Sequence, residues 1–482
     1  MNSELAVRTG PVRPWVSLSG HAIGAFFRNP MAAFFTVAFP LLFLIIVAAL
    51  VGDERTPDGV PVAQYLVTPF AVFGMAQASF TVLAVDTAAL RESGVLLRLR
   101  GAPVTAAAVI ASRIAASLVA ALLSLALVTG VGAGVYGVHI VGHKLPALLV
   151  TVVLGVACLC ALGLALTSLT RTVTAAQAIA QGILIPLAFI SDVFIVGADL
   201  PRVLDVAGSL LPLKHFARVA ATAFEPGAGS GFSPGRLAVL AGWTVAGAAV
   251  AAWRFGWAPR GSSSGTTPKT KIIGYERDRL SAPAVPGRPG TAALFQGQVR
   301  HALRGVFRNA LPVFFTIVFP VFMLILFPAV FGDTRVHGLP MAQYQLPGMV
   351  TYTLAVAGFV NLPEDLAAAR TAGVVERLRG TPLPYPVFLG ARIATAMLTG
   401  LAGVMLLMVT AVVGQDVRLD LARLLALLLS VVLGGLCFAL LGLALVALRP
   451  GARSLIAITL GVLLPLCFVS EVFVAGLAGR DR

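Results

Sequence analysis

Residues 95–103 read VLLRLRGAP, and residues 374–382 read VVERLRGTP, 279 positions later. Both copies stand in the same setting. A long apolar run comes first, then an acid (Asp86, Asp365), an arginine (Arg91, Arg370) and a glycine (Gly94, Gly373). A second apolar run follows, entered through Arg113 or Arg392. An amphipathic, arginine-rich piece between two runs of bilayer-spanning length reads as a connection at a membrane surface. Gly94 and Gly373 read as the point where one helix ends and the chain turns into the next.

The bulk composition agrees. The 482 residues are 58% hydrophobic and only 11% charged, with mean hydropathy +0.94. A soluble domain is nearer a quarter charged, so the chain reads as an all-α polytopic membrane protein. Its net charge of +15 comes mostly from arginine. On such a chain a basic excess marks cytoplasmic loops rather than nucleic-acid binding. The four cysteines all lie inside apolar runs, where they behave as small hydrophobes.

Outward from the twin stretch, residues 15–29 read as a helix on the membrane surface, with Trp15, Leu18, Ala22, Ile23 and Phe26 at helical spacing. Six spans are expected at about 30–51, 62–85, 114–138, 145–169, 173–196 and 237–255. Residues 197–235 carry too many charges and prolines to span and read as two short re-entrant helices at the outer face. Arginines concentrate before the first span, between the second and third, and after the sixth. That asymmetry puts the N-terminus in the cytoplasm and the chain in the cell membrane as a multi-pass protein.

The chain then repeats itself. FFRNPMAAFFTVAFP (26–40) returns as VFRNALPVFFTIVFP (306–320), and PLAFISDVF (186–194) as PLCFVSEVF (465–473). An internal duplication is expected: a first unit at 1–257, a flexible basic linker at 258–293, and a second unit at 294–482. Six is even, so the two units lie parallel about an axis along the membrane normal. The second copy lacks a counterpart of the sixth span. The expectation is therefore about eleven spans, with truncation of a longer protein favoured over a native eleven-span design.

Sites of chemistry are scarce. The expected spans hold almost no ionisable side chains in their interiors; Asp86 and Asp365 are read as terminal. This argues against a proton-coupled carrier. No phosphate-binding G-x-x-x-x-G-K-[ST] loop occurs. His139 and His143 sit in a turn that suits a metal poorly. Gln177 and Gln181, one turn apart in the fifth span, either line a substrate path or hydrogen-bond to a neighbouring helix; the second role is the commoner.

Taken together these features resemble the ABC-2 type permeases of ABC transporters. The surface helix, the charged loop between the second and third spans, S-[DE]-x-F at the end of the fifth, and the Leu200-Pro201 and Leu211-Pro212-Leu213 segment carry the resemblance. It implies an exporter membrane subunit of drug- or antibiotic-efflux type and no enzyme. It also implies that this chain binds no cofactor, and that ATP and Mg²⁺ belong to an ATP-binding cassette subunit present in two copies on the cytoplasmic side. It implies coupling to that subunit through Arg91, Glu92, Gly94, Arg98 and Arg100, and through Arg370, Gly373, Glu376, Arg377 and Arg379. Two other classes fit the pattern less well. A major-facilitator carrier also has parallel six-span repeats but wants a compact basic turn after its second span. A membrane enzyme wants clustered carboxylates, His or Lys at one face.

Overall fold

The computed structural model describes residues 12–52, 61–101, 105–194, 201–225, 229–254, 256, 290–332, 335–415, 417, 420–448, 451–470 and 472. Within a bilayer every backbone polar group must be satisfied inside the chain, and helices do this locally. Ten helices are long and apolar enough to cross: Pro30–Ala49, Ala63–Glu92, Ala107–Tyr136, Gly142–Leu169, Val173–Ile190, Pro234–Arg254, Ala310–Phe331, Met341–Thr371, Tyr385–Gly414 and Leu424–Ala447. They are called the first to tenth spans below. An eleventh helix, Ala452–Val469, has a shorter apolar stretch. The all-α polytopic reading holds. The one sheet among the described residues is a two-stranded hairpin in which Arg335 pairs with Pro340 and Val336 with Leu339.

Several boundaries differ from those read in the sequence. The second span runs on past Val85 to Glu92, and the third helix begins at Ala106, capped by Thr105, whose Oγ1 accepts the Ala108 N–H at 3.2 Å. At about 1.5 Å per residue these helices are near 45 Å long and project beyond the hydrocarbon core. Asp86 and Arg113 therefore sit inside helices rather than in a loop. The stretch expected as linker gives way to helix at Thr291, and Thr291–Arg308 leads into the seventh span as Val12–Phe27 leads into the first. Residues 257–289 and 473–482 lie outside the described residues.

Between the fifth and sixth spans two short helices appear where expected, Arg202–Leu210 and Pro212–Ala221. Leu213 and Phe216 are fully buried. The Lys214 ammonium, also buried, donates to Asp205 Oδ1 at 2.5 Å. Trp243 of the sixth span donates to the Leu210 carbonyl at 3.0 Å and ties the pair down.

Four spans carry a π-helical turn: Phe34–Ala38, Gln77–Val82, Phe314–Val318 and Val356–Asn361. Such a turn loosens the backbone ladder and frees a carbonyl. The Thr36 carbonyl accepts from Ser124 Oγ of the third span at 2.7 Å. Gly74 of the second span lies against both, so a Cβ there would stand 2.1 Å from Ser124 Oγ. The second half makes the same close approach with the residues exchanged. Gly403 takes the third-span role, and a Cβ on it would stand 2.7 Å from Thr353 Cγ2 and 2.8 Å from the Thr316 carbonyl.

The halves meet reciprocally. Gly182 of the fifth span faces the Phe314 ring of the seventh, and Gly461 of the eleventh helix faces the Phe34 ring of the first. Phe43 and Phe468 add an edge-on pair at 4.2 Å between ring centres. The sixth span packs on the fourth through Gly247, whose missing side chain lets it lie on Ala161 and Leu162. The fourth span is 67% buried and the tenth only 17%, because no described residue covers the matching face of the tenth.

Candidate coupling surface and inter-half cavity

Each R-L-R-G stretch forms a six-residue helix, Val95–Arg100 and Val374–Arg379, set off from the preceding span by a left-handed glycine. Gly94 has φ 72° and Gly373 φ 67°. A Cβ would be strained at both positions, which is why glycine stands there twice. Leu96 is buried and anchors the first short helix, while Leu97 and Arg98 are exposed. In the second, Glu376, Arg377 and Arg379 are exposed. Arg98 donates to the Ser93 carbonyl at 3.5 Å; Arg377 donates to the Ala372 and Gly373 carbonyls at 2.9 and 3.3 Å. These guanidiniums fold back over the corner and oppose the negative end of the spanning helix. The side chain of Arg100 is outside the described residues.

Arg91 and Glu92 do something else. The sequence reading set Arg91 toward a partner, but its side chain is 1% exposed and turned into the bundle. Its Nη1 and Nη2 donate to the Thr167 and Thr170 carbonyls, at 2.5 and 2.8 Å, and cap the C-terminus of the fourth span. Glu92 remains exposed, and its Oε2 accepts the Val173 N–H at 2.8 Å, at the N-terminus of the fifth span. A cation thus meets a helix C-terminus and an anion a helix N-terminus, each the favourable sign. Two adjacent residues grip the turn between the fourth and fifth spans. In the second half Arg370 is partly buried and partnered, and Thr371, its hydroxyl on the Ala368 carbonyl, replaces Glu92. Asp86 and Arg113 interact electrostatically, and Asp365 and Arg392 form the matching ion pair.

At the same end of the bundle a narrow cavity of about 30 Å³ separates the halves. Met31, Phe35, Gln177 and Gln181 line it from the first half; Phe315, Tyr352, Asn361 and Glu364 line it from the second. Of the two glutamines, Gln181 makes the interhelical hydrogen bond, and both line the cavity. Gln181 faces the cavity and exchanges hydrogen bonds with Gln77 of the second span, at 3.3 and 3.5 Å. Gln77 and Gln181 answer to Val356 and Leu460 in the repeat, so the pair is confined to the first half. Glu364 escaped the sequence reading, because with Asp365 it looked like the end of a span. The signal was present: its counterpart in the first copy is Val85. A second cavity of about 410 Å³ lies at the opposite end of the first half, where Arg218 Nε donates to Asp192 Oδ2 at 2.8 Å.

Comparison with known families supplies the remaining constraint. The model of the ABC-2 type transporter membrane family matches residues 16–224 and 293–475. The chain belongs to the ABC-2 type transporter family. No curated protein and no solved structure matches it. An ABC-2 membrane chain is the permease of an ABC transporter, and the ATPase is another component. The ten long apolar helices make it a multi-pass membrane protein.

Proposed function

We propose that this chain is the permease of an ATP-driven exporter and moves a lipophilic or amphiphilic, drug-like substrate from the cytoplasm or inner leaflet outward. Two copies of an ATP-binding cassette subunit dock on the face carrying Val95–Arg100 and Val374–Arg379. With the N-terminus cytoplasmic, that face and the mouth of the inter-half cavity are on the cytoplasmic side of the plasma membrane. The contact surface is made by Glu92, Arg98, Arg100, Glu376, Arg377 and Arg379, with Gly94 and Gly373 setting the angle. Arg91 and Arg370 act from behind it.

The observation that carries this reading is the grip of Arg91 and Glu92 on the turn before the fifth span. A push on the first short helix reaches the end of the fourth span through Arg91 and the start of the fifth through Glu92, and the fifth span carries Gln177 and Gln181 in the cavity wall. ATP binding closes the two cassettes, displaces the short helices, and parts the halves along the Gly182–Phe314 and Gly461–Phe34 seams. Tight, reciprocal packing there favours rigid-body rocking over gradual deformation.

The test is co-purification with an ATP-binding subunit followed by transport in vesicles. Transport that stops when hydrolysis is blocked supports the proposal. Transport sustained by a proton gradient alone defeats it.

A further inference from the structure

We infer that the inter-half cavity selects a positively charged lipophilic substrate, with Glu364 recognising the cation and Phe35, Phe315 and Tyr352 holding the apolar body. This names the substrate class of the proposed exporter and rests on that reading. Glu364 lines the cavity and is partly buried. No described residue forms a hydrogen bond or ion pair with its carboxylate. Neighbouring Asp365 has Arg392; Glu364 has no such cation. The amides lining the cavity are neutral: Gln181 bonds to Gln77, Asn361 Nδ2 donates to Thr316 Oγ1 at 2.7 Å, and Gln177 forms no hydrogen bond with a described residue.

A carboxylate among apolar walls is costly unless something of opposite charge meets it. An organic ammonium or phosphonium provides that charge, and aromatic faces add cation–π attraction. A neutral molecule leaves the acid unpaired, and an anion is repelled, so discrimination works by exclusion as well as attraction. Glu364 stands seven residues before the end of the eighth span, about 10 Å in from the face of the short helices. A cavity of about 30 Å³ has room for roughly two waters. A lipophilic cation therefore enters a nucleotide-free form whose cytoplasmic mouth is wider than this one, before ATP binding parts the halves toward the outside.

The test uses the purified permease with its ATP-binding partner, without nucleotide, and two probes of matched shape and opposite charge, tetraphenylphosphonium and tetraphenylborate. Saturable phosphonium binding is expected, weakened on the order of tenfold or more by Glu364→Gln. Glu364→Asp should recover part of it. Val85→Gln, the matched change in the first copy, should leave it unchanged, and each variant is checked for monodisperse elution. Equal phosphonium affinity in wild type and Glu364→Gln overturns the inference, as does borate binding as tightly as phosphonium. Binding needs no ATP, so the two readings fail separately. Glu364-dependent binding with phosphonium transport that continues when hydrolysis is blocked removes the exporter reading and leaves the site. ATP-dependent phosphonium export indifferent to Glu364 does the reverse.

Discussion

Glu92 Oε2 accepts the backbone N–H of Val173 at 2.8 Å, so the last residue of the second span caps the first residue of the fifth. The contact is exposed and its loss costs little stability, about 0.5–2 kcal/mol by analogy with helix N-caps. Its worth is mechanical. Glu92→Ala is expected to leave the protein folded and nucleotide hydrolysis by the partner intact while lowering transport several-fold. The ratio of substrate moved to ATP hydrolysed reads this directly; an unchanged ratio removes Glu92 from the coupling path.

Arg91 acts behind it and is structural as well. Removing the side chain strips the Thr170 carbonyl of its guanidinium donor and leaves the Thr167 carbonyl only the long bond from Thr170 Oγ1, at 3.4 Å, inside the bundle. Arg91→Ala is expected to cost about 2–3 kcal/mol, the range for charge-assisted hydrogen bonds with buried partners. Arg91→Lys keeps the charge but loses the two-pronged grip and should recover only part. Thermal unfolding in detergent measures both.

The crossing of the first three spans gives a sharper test, because the molecule contains its own control. Gly74 and Ser124 oppose each other in one half, and Thr353 and Gly403 in the other. Gly74→Thr alone forces a side chain into occupied space and should cost about 1–3 kcal/mol. Gly74→Thr combined with Ser124→Gly reproduces the arrangement of the second half and should recover most of the loss. A double variant no better than the sum of its parts shows that the two crossings are not equivalent.

What the sequence disclosed follows from what is written in apolar length and local turns. The apolar runs and both glycine corners were legible, since spans need some twenty apolar residues and positive φ needs glycine. The end of the second span was not. Asp86, Arg91 and Glu92 look like loop residues, yet each meets a partner from another helix, and such pairings leave no periodic trace. The inward turn of Arg91 and the cavity-facing position of Glu364 were hidden for the same reason. The π-helical turns have no compositional mark. The exchanged Gly74–Ser124 and Thr353–Gly403 pairs stand in the aligned copies and take on meaning only when the crossing is seen.

The short helices between the fifth and sixth spans should respond to acid in one direction. The hydrogen bond from Lys214, and then its charge, hold the Asp205 carboxyl below the usual range. A carboxylate with a depressed native pKa contributes stability that is fully present above its unfolded value, about 3.9, and is lost as pH falls through the lower native one. Between pH 8 and 5 the contribution is therefore flat, and it declines below about pH 4. Asp205→Asn should lower the unfolding temperature at neutral pH by leaving the buried Lys214 ammonium without its counter-charge. That deficit relative to wild type should shrink as the pH falls below 4. Lys214→Met, which fills the space without a charge, should be milder than Asp205→Asn. A wild-type advantage that grows toward acid pH contradicts the assignment, because only a carboxylate favoured by Lys214 in its ionised form loses its benefit on protonation.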